Sequence, residues 1–91
     1  MNCKMLCRRI FEEGVICVEY DLLVESRNGQ SVYSIRLTQR EEAGSRECLL
    51  RDVARGEDKA RYILSLLSDN GVTADTALFV MDDLAAQMTF Y

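Results

Sequence analysis

Neither histidine nor proline occurs in the 91 residues. Without histidine the chain lacks the commonest general base, the commonest metal ligand and every Ser-His or Cys-His nucleophile arrangement. Without proline, and with no Ser/Gly-rich, repeated or low-complexity tract, nothing reads as a linker. Long apolar runs are also missing. The longest, residues 15–18 and 77–81, fall far short of the roughly 20 residues of a membrane helix. The opening MNCKMLCRRI has basic residues with no apolar stretch behind them, so no export signal is expected. The five glycines form neither GxGxxG nor GxxxxGK, which excludes the common phosphate-binding loops.

What is present fits a soluble globular chain of one domain, with 48% apolar and 29% charged residues. A chain this size buries only about 60–65% of its unfolded surface, so nearly all its apolar residues must serve one core. The net charge of −4 is unevenly placed. All 11 Lys and Arg lie in residues 1–61, whereas residues 62–91 carry only the acids Asp69, Asp75, Asp82 and Asp83. A pI near 4.7 argues against general affinity for nucleic acid or anionic lipid. Cys3, Cys7, Cys17 and Cys48 lack the paired short knuckles of zinc sites, and reduced cytoplasmic thiols are expected.

Residues 15–26 alternate, with Ile16, Val18, Tyr20, Leu22 and Val24 on one side and Cys17, Glu19, Asp21, Leu23 and Glu25 on the other. That period marks a half-buried strand. Asn28-Gly29 follows, a two-residue hairpin signal that pairs Arg27 with Gln30. The same register sets Tyr20 opposite Leu37, Leu22 opposite Ile35 and Asp21 opposite Arg36. Weaker strands are expected at about 4–11 and 47–53, flanking 15–26 and 31–41, and the N-terminal one carries the weakest pattern. From Glu57 the period turns helical: Ala60, Ile63, Leu64 and Leu67 form a stripe and Gly71 suits the left-handed stop. A second helix is expected over about 74–88, capped by Thr73, with Ala77, Met81, Leu84, Ala85 and Met88 inward. The expected fold is α+β, one domain over residues 1–91. An antiparallel three- to four-stranded meander precedes a C-terminal αα-hairpin (helices about 57–69 and 74–88) packed on one sheet face.

Tyr20-Asp-Leu-Leu-Val-Glu25, Tyr33-Ser-Ile35, Arg51-Asp-Val53, the stretch from Ile63 through Asn70-Gly-Val72, and Asp82-Asp-Leu84 together resemble a Firmicutes family. It is the domain-of-unknown-function family 6514, and the likeness spans residues 18–88. Ser34 stands where that family is expected to have glycine, and Arg55-Gly56 replaces a capping serine. The resemblance implies the α+β fold and a bacterial cytosolic setting; it transfers no functional residue.

Candidate functional residues are few. Asp82-Asp83 could suggest a metal pair, but neighbours on a helix point about 100° apart and solvated carboxylates are the simpler reading. Arg36, Arg40 and Arg51 can share the outer sheet face, threaded by Glu19, Asp21 and Glu25, which favours ion pairs over nucleic-acid binding. Leu23 and Val32 put an apolar corner on that face, with Cys17 at its far end. Phe90 and Tyr91 end the chain and could cover a sheet edge or enter a neighbour. The expectation is a small non-enzymatic cytoplasmic interaction or regulatory module without cofactor. Its expected surface comprises Leu23, Val32, Arg36, Arg40, Phe90 and Tyr91, it binds a protein partner or itself as a homodimer, and it takes no nucleic acid and no membrane. The alternatives are a histidine-free small-ligand binder or enzyme, and a weak nucleic-acid binder using the arginine face.

Overall fold

A computed structural model of the chain describes residues 3–87, with side chains described as far as Asp82. Its centre is the hairpin of β2 (Ile16–Arg27) and β3 (Gln30–Glu41). Asn28 and Gly29 both take positive φ, 52° and 76°, as a type I′ turn requires. Each residue pair expected from that turn occurs, from Arg27 with Gln30 out to Cys17 with Arg40. Val18, Tyr20, Leu22, Ile35 and Leu37 therefore share one face and are fully buried.

Two further two-residue turns complete a four-stranded antiparallel meander in the order β1-β2-β3-β4. β1 (Cys3–Glu13), the weakest of the expected strands, pairs with β2 along its length, with one irregularity at Leu6. β4 (Gly44–Ala54) starts three residues before the expected 47, because the turn closes over Glu42 and Ala43 alone. Near its end Arg51, Asp52 and Val53 stand against the single residue Ser34. Asp52 takes φ 52°, and its N–H donates to Ser34 Oγ at 3.3 Å. This bulge breaks the alternation, so the successive residues Val53 and Ala54 are both buried before the chain leaves for the helix layer.

α1 (Glu57–Asp69) lies across the sheet and touches all four strands. Its stripe of Ala60, Ile63, Leu64 and Leu67 is buried against the apolar face. Val72 N–H bonds to Leu67 O and Gly71 N–H to Ser68 O, the paired bonds of a Schellman stop. Gly71 is held there twice over: its φ is +59°, and a Cβ would lie 2.6 Å from the Phe11 ring. The connection that follows is tied to the sheet by two buried side chains. Tyr20 Oη donates to Val72 O at 2.6 Å, and Gln39 Oε1 accepts from Ala74 N–H at 3.0 Å.

α2 (Ala77–Gln87) begins three residues later than the expected 74. Thr73 sits in the preceding turn, its carbonyl accepting Thr76 N–H and its hydroxyl 3.0 Å from that of Thr76. The first intrahelical bond, Val80 N–H to Thr76 O, places the start beyond the expected cap. Among the described residues α2 meets the sheet at β4. Ala77 is buried, and Val80 and Met81 pack on the core. The molecule measures 41 × 32 × 16 Å, a thin slab of one sheet and one helix layer.

Candidate functional site

The pleat that sends Tyr20 and Leu22 toward α1 sends their neighbours to the opposite face, which no described element covers. Strand register arranges that face in rows. Ile10, Glu19, Thr38 and Glu47 form one row, and Arg8, Asp21, Arg36 and Leu49 the next. Met5, Leu23 and Ser34 form a third.

Asp21 is the centre of the second row and is 1% exposed although it faces outward, because two arginines lean over it. Arg8 grips it with Nε on Oδ1 at 2.6 Å and Nη2 on Oδ2 at 3.3 Å. From the other flank Arg36 Nη2 donates to Oδ2 at 3.0 Å. Burial by itself would raise the Asp21 carboxyl, but the hydrogen bonds and charges of Arg8 and Arg36 outweigh it and hold the group below its ordinary value. Arg40 Nη1 lies 2.7 Å from Glu19 Oε2. Of the three arginines expected on this face, Arg36 and Arg40 are thus tied to carboxylates of the same face, and Arg51 lines the depression described next. They keep further N–H donors, since a guanidinium has five, and Arg8 and Arg36 remain 43% and 38% exposed.

Leu23 and Val32 are half-buried and line a depression of about 130 Å³ with Cys3, Glu25, Ser34, Leu49 and Arg51. The apolar corner read from the hairpin therefore continues onto both outer strands. Cys3, Met5 and Leu49 escaped the sequence reading, because their place depends on the register of β1 and β4. Alternation along β4, counted outward from the two-residue turn at Glu42-Ala43, is the signal that sets Leu49 beside Arg36. Cys17 lies at the far end of the face, opposite Arg40. Phe90 and Tyr91 lie outside the described residues, as does the side chain of Asp83.

Two more hollows flank the sheet. One of about 480 Å³ lies by the β2–β3 turn among Gln30, Ser31, Val32, Asp52 and Arg55. The other, about 300 Å³, runs along β4 beneath α2 and is lined by Leu49, Leu50, Val53, Leu78 and Met81 among others. Among the described residues no three His, Cys, Asp or Glu side chains gather where they could hold a metal ion. The four cysteines are free thiols, and burial pushes the Cys48 thiol up, favouring its protonated form. No protein family, curated protein or solved structure matches the chain.

Proposed function

We propose that the chain is a non-enzymatic interaction or regulatory module that docks a protein partner on the open face of its sheet. The observation that carries this reading is the apolar depression of Leu23, Val32 and Leu49 set beside Arg8 and Arg36, two arginines held in place by Asp21 between them. Four strands about 4.8 Å apart and some 11 residues long offer a plane of roughly 700 Å², close to the roughly 800 Å² per partner of a stable interface. Arginine and apolar anchors at the centre of such a patch are where binding energy concentrates. Since Asp21 is already buried, a partner has no desolvation of that carboxylate to offset. Self-association through the sheet belongs to the same proposal, as does closure of α1 and α2 into an αα-hairpin over the opposite face. Four free thiols suit the reducing cytoplasm. Kinship with the Firmicutes family is likewise proposed, on the core and turn residues quoted above.

The test is differential retention from a lysate of the source organism on immobilised parent protein and on Leu23→Glu. Leu23 is only half-buried and lies off the core, so the variant is expected to keep the parent circular dichroism spectrum. Proteins held by the parent and lost from Leu23→Glu are the expected result. Equal retention by both would count against this face.

A further inference from the structure

A meander leaves two edges, and here they differ. β1 carries Lys4 and the irregularity at Leu6, both of which blunt an edge. Its two arginines are also occupied, Arg8 by Asp21 and Arg9 by Ser65 Oγ at 3.2 Å. β4 is regular from Gly44 to Leu50 and has no lysine. Glu47 and Arg51 are exposed, and their side chains make no hydrogen bond or ion pair among the described residues. Leu49 between them is 39% exposed. Alongside runs the 300 Å³ groove, and α2 adds Leu78 and Phe79 at 60% and 72% exposure.

Two copies of a strand can pair antiparallel only about an axis normal to the sheet, which keeps each side chain on its own face. Opposed residues then have numbers of constant even sum, and one residue sits on the axis. Registers centred on Arg46, Glu47 or Arg51 oppose like charges on the axis. Those centred on Cys48 or Leu50 leave both Glu47 and Arg51 facing uncharged residues. Centring on Leu49 opposes Leu49 to itself, Glu47 to Arg51 twice, and Cys48 to Leu50. That register alone matches opposite charges and apolar residues together.

We propose that β4 is a self-pairing edge. A second copy of this chain adds antiparallel to it with Leu49 on the two-fold axis, giving one continuous eight-stranded sheet. The ladder covers residues 47–51 of each copy, an ordinary strand length, and stops where Asp52 turns the backbone away. On the helix side Leu50, which this register sets opposite Cys48 of the second copy, lines the groove with Leu78 and Met81. The proposal rests on the sheet being the interaction element, and it specifies which part of that sheet a second copy uses.

Light scattering behind size exclusion, run over a roughly hundredfold concentration range reaching about 1 mM, tests it. The parent is expected to dimerise. Arg51→Glu sets Glu against Glu at both symmetric positions and should weaken dimerisation about tenfold or more, and Glu47→Arg should do likewise. The double charge swap restores both pairs and should return the dimer to within about threefold of the parent, a rescue that damage to the fold would not give. A parent that stays monomeric at about 1 mM overturns the proposal outright, whatever partner the open face retains. A dimer indifferent to both single variants overturns the β4 register and leaves the face reading to the Leu23→Glu comparison.

Discussion

At the scale of single residues, the buried polar groups of this chain hold separate parts of the molecule together. Tyr20 is fully buried on β2, and its hydroxyl reaches a carbonyl beyond the end of α1. Removing that hydroxyl in Tyr20→Phe leaves Val72 O without its partner and should cost about 1–3 kcal/mol, read by urea denaturation. Burial pushes the Tyr20 phenol up to about 12. The folded state therefore holds this proton more tightly than the unfolded chain, whose phenol titrates near 10, and stability should fall as pH rises from about 10 toward 12. Tyr20→Phe should lose this alkaline slope. Asp21 works in the opposite sense. Its folded-state value is lowered, so its contribution is present above about pH 3.9 and drains away as pH falls through the folded value. Asp21→Asn should cost about 1–3 kcal/mol at neutral pH, with the partial exposure of both arginines holding it there, and should flatten the acid limb of a denaturation profile. The Asp21–Arg36 pair was legible in the sequence, since the Asn28-Gly29 turn counts one residue directly onto the other. Arg8 was not, because its position depends on where β1 slips at Leu6.

At the scale of elements, legibility followed locality. The hairpin and α1 are each specified within a dozen residues, the first by a turn that demands two positive φ angles and the second by a 3.6-residue stripe with a glycine stop. β4 and α2 are specified from outside themselves. The bulge at Asp52 exists because Val53 and Ala54 must both reach the helix layer, a demand absent from the alternation of the strand alone. The start of α2 at Ala77 follows from Tyr20 and Gln39 holding the preceding backbone. Asp52 pays for the bulge in backbone conformation, so Asp52→Gly should stabilise by roughly 0.5 kcal/mol, whereas a β-branched Asp52→Val should destabilise by about 1–2 kcal/mol. Gly71→Ala meets both the left-handed φ and the Phe11 ring, and should lower the melting temperature by several degrees, about 4–8 °C for each 1 kcal/mol lost.

At the scale of the whole molecule, the slab is asymmetric in two ways. One face of the sheet is covered by α1 and the other by no described element, while the net negative charge lies in a C-terminal third that has no base. The sheet itself is close to neutral because basic and acidic residues balance along its strands, with Arg8, Arg36 and Arg40 tied to Asp21 and Glu19. Hydrogen exchange should rank the elements accordingly, slowest in β2 and β3, which have a neighbour on both sides, and fastest in α2. The meander also bears on how quickly the chain finds this arrangement. Each return of the strand takes two residues, so every pairing in the sheet can zip outward from its own turn without waiting for a distant segment to diffuse in. The long loops close when α1, the connection behind it and α2 dock on the finished sheet. An all-antiparallel sheet of this size is ordinarily slow to form, yet these contacts are near in sequence, and refolding should be a single fast phase on the millisecond scale. The absence of proline removes the usual source of a slow second one.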